Sequence, residues 1–204
     1  MVAVPNRDRL AERREATRRE ILDAAWQVAR EDGLAQLTLR AVASRIGMQA
    51  PSLYSHFPAK SAIYDAMFGQ AWEEFEGVAA QANTRLPDAP RPALKLVAAT
   101  FFDFAVADFA RHQLMNVRVI PGFEPSPQSY AAAVRVLERL RAVFEQLRID
   151  DPAAMELWTA VVGGLIHQQW ANDPGGDRWR RLLDRAVDMF ADEMGLPGPR
   201  GGTA

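Results

Sequence analysis

Residues 38–60, TLRAVASRIGMQAPSLYSHFPAK, bring together the side chains best suited to recognition chemistry. Thr38, Arg40, Gln49, Ser52, Tyr54, Ser55, His56 and Lys60 supply hydroxyl, guanidinium, amide, imidazole and ammonium groups, all able to bond phosphate oxygens or base edges. Thr38 stands as the N-cap of a short helix with Leu39, Val42, Ala43 and Ile46, closed by Gly47. Pro51 falls where the first turn of a second helix tolerates a missing N–H. Pro58 ends that helix near His56, because the residue before a proline avoids helical geometry. Two short helices around a glycine turn form the pattern of a helix-turn-helix. In it, Ala43 is small where the helices cross and Val42, Ile46 and Leu53 point inward. Gln49, Ala50, Ser52, Tyr54, Ser55 and His56 then point outward on a helix short enough to enter a major groove. The same spacing also suits two helices of an ordinary bundle with Tyr54 and His56 at its rim, and spacing alone leaves both readings open.

The elements that must position this segment all read as helix, and no alternating apolar/polar stretch of strand length is bounded by turns. Thr17-Arg18-Arg19-Glu20 has the form of a capping box for a first helix, with Ile21, Ala25, Val28 and Ala29 as its stripe and Asp32-Gly33 as its stop. A long helix is expected from Lys60 to Ala82, with Ile63, Met67, Ala71, Phe75 and Val78 along one face. Residues 86–92, LPDAPRP, read as a linker. Further helices are expected at 92–110, 111–117, 128–148, 151–171 and 177–194, with a Pro/Gly/Ser-rich break at 121–127 and a frayed tail from Gly195. The expected fold is all-α, about nine helices, with a three-helix head in residues 1–60. A helical body fills residues 61–204, and the helix at 60–82 connects the two.

Composition narrows the function. The chain has 204 residues, is 49% hydrophobic and 25% charged, and holds no cysteine. That balance is globular, and it excludes disulfides, thiolate metal sites and cysteine nucleophiles. No apolar run approaches a membrane span and the N-terminus lacks a signal-like apolar stretch, so the expected compartment is the cytoplasm, without membrane contact. Residues 1–60 carry ten Arg/Lys against seven Asp/Glu, whereas residues 61–204 carry fourteen against nineteen. A basic head on an acidic body suits a polyanionic partner. His56, His112 and His167 have no ligand-like spacing, so no metal or cofactor is expected, and His112 reads as a surface or helix-end residue. No nucleophile–base string or phosphate loop occurs, which argues against an all-α enzyme.

Gly33, Thr38, Ala43, Gly47 and the string Leu53-Tyr54-Ser55-His56-Phe57-Pro58-Ala59-Lys60 resemble the DNA-binding head of the TetR family of bacterial transcriptional regulators. The L-Y-x-H-F-x-x-K pattern is met in full, and the resemblance is strong over residues 15–65. It implies a homodimer that represses transcription at a double-stranded DNA operator and leaves it when a small, largely apolar effector enters the body. It also implies phosphate contacts from Thr38, Tyr54, His56 and Lys60. Base contacts are implied for Arg40 and, from the short helix, for Gln49, Ala50, Pro51, Ser52 and Ser55. Arg40 can fork onto guanine and Gln49 can pair with adenine, while Ala50 and Pro51 offer only apolar contact. The arm carrying Arg7, Arg9, Arg13, Arg14, Arg18 and Arg19 suits phosphate or minor-groove contacts. Its Asp8, Glu12 and Glu15 equally suit a plain solvated helix.

In the body the resemblance implies an effector pocket, for which Phe101, Phe104, Met115, Phe144 and Trp158 are the candidate walls; an aromatic stripe at helical spacing is also what a core looks like. It implies dimerisation through the last two helices. There Gly163, Gly164, His167, Leu183, Val187 and Phe190 are the candidate interface residues, the paired mid-helix glycines being costly unless another helix approaches. A W-x-x-x-H-G string found in one subgroup is broken here by Val162. A constitutive dimeric DNA-binding regulator without an effector fits the same sequence.

Overall fold

The structure is a computed structural model, and it describes residues 6–198, with side chains from residue 9 onward. Among the described residues there are nine α-helices and no strand. They are α1 Asn6–Asp32, α2 Leu39–Arg45, α3 Ala50–Leu53, α4 Lys60–Asn83, α5 Pro90–Ala107, α6 Phe109–Asn116, α7 Pro127–Gln146, α8 Ala154–Asn172 and α9 Leu183–Glu193. Short 3₁₀ turns occupy Leu34–Gln36 and Arg180–Leu182. The chain folds as two compact units, one of residues up to 71 with 110–130, the other of residues 72–109 with 131 onward. The side chains of Arg7 and Asp8 in the arm and tail residues 199–204 lie outside the described residues.

In the first unit α1 begins eleven residues before the expected capping box. Thr17 is not its cap; the Thr17 hydroxyl donates 3.0 Å back to the Arg13 carbonyl, a bond available to threonine inside a helix. The charged residues before it are good helix formers and simply extend the helix. Ile21, Ala25, Val28 and Ala29 are buried as their spacing requires. Gly33 ends the run at φ +90°, a backbone region open to glycine, with its N–H on the Ala29 carbonyl. α1 packs against the 3₁₀ turn and α2. The Trp26 indole also donates 2.9 Å to Gln70 of α4.

Asp65 of α4 organises the start of α7. One carboxylate oxygen accepts the Ser126 N–H at 2.6 Å, and the other accepts the Ser126 and Ser129 hydroxyls at 2.8 Å each. Phe123 and Tyr130 then lie against Tyr64 and Phe68 of the same helix, Tyr130 stacked on Phe68 at 6.0 Å. His112 is buried rather than at the surface, its Nδ1 3.3 Å from the Asn116 amide one turn on.

The second unit is built on a core from α5, α7, α8 and α9, including Leu94, Phe102, Phe144, Trp158, Ile166, Leu183, Val187 and Phe190. The buried Arg91 guanidinium joins the start of α5 to the end of α9. It donates to the Leu196 and Pro197 carbonyls at 2.9 and 2.8 Å and to the Asp192 carboxylate at 2.5 Å. Leu196 is buried, so the chain just beyond α9 is held rather than frayed. Gln169, also buried, accepts the Trp179 N–H at 3.0 Å and shapes the turn that delays α9 from the expected Asp177 to Leu183. The expected helix from 92 to 110 breaks at Asp108 (φ −149°, ψ 106°), which transfers Phe109 to α6. Val78, expected on the buried stripe of α4, is 38% exposed.

Glu76 of α4 receives a two-pronged bond from Arg135 of α7 (2.8 and 2.6 Å) and a third contact from Arg139 at 3.2 Å. The Arg135 bond holds the Glu76 carboxyl below its ordinary range. Its contribution to stability is therefore complete above the usual carboxylate pKa and is lost as pH falls through the depressed one. Urea denaturation of the unaltered protein should weaken more steeply from about pH 6 to about pH 3 than that of Glu76→Gln; parallel curves would contradict this. Asp65→Ala, which leaves an N–H and two hydroxyls without their acceptor, should cost about 1–3 kcal/mol in the same assay.

Candidate nucleic-acid interface

α2 starts from a working cap. The Thr38 Oγ accepts the Ala41 N–H at 3.1 Å and keeps its own proton for an outside acceptor. Val42 and Ala43 are buried beneath, and Arg40 is exposed on the other face. The chain reverses at Gly47 (φ +63°), with the Met48 N–H on the Ala43 carbonyl at 2.9 Å. Arg45 lies elsewhere on α2 and forks onto Glu31 of α1, whose carboxyl is lowered by that bond.

α3 is a single turn with Pro51 in its first turn. Its one fully buried residue is Leu53, and Phe57, four residues on, is buried as well. Leu53 thus sets the helix's rotation, leaving Gln49, Pro51 and Ser52 exposed and Ala50 half-buried. Tyr54 is 54% exposed. The Ser55 hydroxyl donates 2.7 Å to the Ser52 carbonyl, so at a base edge it is left to accept rather than donate. His56 is half-buried with Nδ1 enclosed and unpartnered. Lys60 stands exposed at the first turn of α4, its Nζ 5.5 Å from the Tyr64 ring. The Tyr64 hydroxyl bonds the Leu34 carbonyl at 2.5 Å, and burial raises its pKa. Thr38, Arg40, Gln49, Ala50, Pro51, Ser52, Tyr54, Ser55, His56 and Lys60 all belong to the first unit.

Sequence reasoning missed what the arginines of α1 do. Arg14 donates 3.1 Å to the Ser55 carbonyl, and Arg18 donates to the His56 carbonyl with its guanidinium 4.1 Å from the Phe57 ring centroid. Their spacing of four, which puts both on one face of α1, was the available signal.

The body candidates scatter. Phe101 and Phe104 of α5 both lie against Phe75, at 5.1 and 5.0 Å. Phe144 and Trp158 form an edge-to-face cluster with Phe190. Met115 is buried in the first unit. On α8, Gly164 and His167 are exposed and Gly163 is partly so; a Cβ on either glycine would meet nothing within 4 Å. Leu183, Val187 and Phe190, named as interface residues, are instead buried in this chain's own core, where one face of α9 is already satisfied. The outward apolar residues of α8 and the turn into and along α9 are Leu157, Leu182 and Met189. Among the described residues no group of three His, Asp or Glu has metal-binding geometry, and no helix is long and apolar enough to cross a membrane.

Residues 21–67, the segment just described, match the family of bacterial regulatory proteins, tetR family. The head is a TetR-family domain. No curated protein matches the sequence. Solved structures share the fold well beyond this TetR head. A protein of unknown function from Rhodococcus sp. RHA1 superposes with a TM-score of 0.75 at 20% identity, over 89% of this chain and 95% of that one. The TetR-family transcriptional regulator PfmR from Thermus thermophilus gives 0.63 at 19% identity, over 83% and 96%. The transcriptional regulator FadR from Bacillus subtilis, solved with stearoyl-CoA, gives 0.63 at 16% identity, over 84% and 96%.

Thr38→Asp separates the cap from the TetR head's outward chemistry. Aspartate caps at least as well as threonine, so denaturation should shift by less than about 0.5 kcal/mol. Its carboxylate cannot donate to phosphate and repels it, so affinity for duplex DNA should fall at least about tenfold in fluorescence anisotropy. Equal affinity would place Thr38 outside the interface.

Proposed function

We propose that this TetR-family protein is a homodimeric, cytoplasmic repressor that binds a two-fold symmetric DNA operator through α3 and leaves it when a small, largely apolar effector binds the body. In functional terms residues 1–60 read the DNA, and residues 61–204 dimerise and take the effector. The observation that carries the DNA reading is the division of α3 and its flanks. Leu53 and Phe57 are anchored inside, while Gln49, Ser52 and Tyr54 stand outside beside exposed Arg40 and Lys60. Phosphate contacts fall to Thr38, Tyr54, His56 and Lys60, and base contacts to Arg40, Gln49 and Ser52, with apolar contact from Ala50 and Pro51. Ser55 serves only as an acceptor.

Dimerisation is supported by α8. Between Ala154 and Asn172 it has no Lys or Arg, and its outward side carries Leu157, Ala160, Gly164 and His167. Exposed Leu157 and Ala160 on a helix whose other face is already core suit a second packing partner even beside Glu156, Thr159 and His167, and the glycines leave room for one. The effector reading draws on Phe101 and Phe104 against Phe75 of α4, the helix whose first turn carries Lys60. The acyl-CoA in the FadR complex makes long-chain acyl-CoA a sensible first probe. A second reading, a regulator with no effector, is favoured by the tight Phe144–Trp158–Phe190 cluster, which occupies the space that two proposed wall residues would enclose.

Sedimentation should give a dimer at micromolar concentration, and a monomer would sink the proposal. Lys60→Ala should weaken binding to all duplexes about equally and reduce the salt slope by about one, whereas Arg40→Ala should relax preference at one base position by about 1–3 kcal/mol. A uniform loss for Arg40→Ala would move it to the phosphate contacts. Thermal shift against a panel of acyl-CoAs and small apolar compounds, with and without saturating operator, separates the two readings. An effector should bind more weakly to the operator complex, by the factor by which it weakens DNA binding.

A further inference from the structure

We propose that Arg14 and Arg18 are positioning residues for the recognition helix, acting through the backbone at its exit rather than on DNA phosphates; this rests on the reading of α3 as the DNA-facing element. A one-turn helix cannot hold itself, because nucleation fixes more dihedral freedom than its few bonds return. α3 spends its own acceptors within the turn that follows it. The Ser52 carbonyl takes the Ser55 N–H and hydroxyl, and the Leu53 carbonyl takes the His56 and Phe57 N–H groups at 2.9 Å. Past Tyr54, the cap of α3, the Ser55 and His56 carbonyls lie beyond the helix end at Leu53 and have no helix to continue into. Arg14 takes the first at 3.1 Å and Arg18 the second. Arg18 also lies 4.1 Å over the Phe57 ring, so its plane is fixed by stacking as well as by the bond. Cations suit this end of a helix, where the unpaired carbonyls carry partial negative charge. A half-buried guanidinium bonded to a carbonyl and laid on an aromatic ring is committed to the protein. Arg9, Arg13 and Arg19 of the same helix are exposed and remain the arm's candidates for phosphate.

The test uses the full chain with Arg18→Gln, Arg18→Lys and Arg14→Gln. The probes are a duplex enriched by the unaltered protein from a randomised pool and a mixed-sequence duplex. In the free protein, amide exchange at His56 and Phe57 should quicken about tenfold in Arg18→Gln, the scale of losing one charge-assisted bond. Affinity for the enriched duplex should fall by about tenfold or more, while affinity for mixed-sequence DNA and its salt slope stay close to those of the unaltered protein. Arg18→Lys should fail to restore discrimination, because an ammonium replaces neither the fork nor the stack. The proposal is overturned if exchange at His56 and Phe57 is unchanged. It is equally overturned if Arg18→Lys restores binding while Arg18→Gln weakens both duplexes alike with a salt slope lower by about one, the signature of a phosphate contact. If Arg18→Gln does not fold, Arg14→Gln, whose bond is at the surface, takes the same measurements. Should the unaltered protein enrich no duplex, the reading of α3 fails, and the exchange measurement alone still judges the clamp.

Discussion

The helix that meets DNA in this account is four residues long, Ala50–Leu53, and its placement has to come from residues outside it. Two apolar anchors, Leu53 and Phe57, fix its depth and rotation from below. Thr38 and Gly47 fix the helix and the turn that deliver it. Arg14 and Arg18 take the carbonyls at its exit. Each of these is a single bond or side chain of modest strength, and together they leave the helix one arrangement. Gln49, Ser52 and Tyr54 can then stand polar and exposed in the free protein, because the inward residues already hold the element still.

The second unit solves a different problem with different means. Its core is broad and apolar, and its polar work is done at the seams. Arg91 gathers the start of α5 and the segment after α9 around one guanidinium, and Gln169 holds the turn between α8 and α9. Buried polar groups of this kind stabilise a fold only when every donor and acceptor is met, which is why each carries several partners. What remains outside that core on α8 mixes Leu157, Ala160 and Gly164 with Glu156, Thr159 and His167, the surface that the proposed dimer would cover.

Much of the head was legible because its signals are local. Thr38 as a cap, Gly33 and Gly47 at positive φ and Pro51 in a first turn each act through neighbours within four residues, whereas α3, expected to reach His56 before Pro58, ends at Leu53. The fold class followed from periodicity in the same way. Errors came where a residue's role depends on distant contacts or on a competing local bond. Thr17 looks like a cap, but its hydroxyl bonds back to Arg13 within a helix already formed. Ser55 looks free to donate at a base edge, but its proton is used at Ser52, which leaves it only as an acceptor. Leu183, Val187 and Phe190 form an apolar stripe whether a core or a partner covers it, and only the packed chain tells these apart. His112 was misplaced for a related reason: one histidine on a short helix has no periodicity to reveal its burial. The arginines of α1 read as charge, whereas their function lies in geometry that brings residues 14 and 18 to residues 55 and 56.

Methylation interference at guanine N7 on an enriched duplex tests the central claim most directly, since that atom lies in the major groove where α3 is held to enter. Interference should fall in two symmetric clusters on one face of the duplex, about one helical turn apart, and be lost from both when Leu53 or Phe57 is truncated to alanine in a protein that remains folded. Interference confined to adenine N3 in the minor groove, or an enriched duplex with no major-groove interference at all, would contradict it.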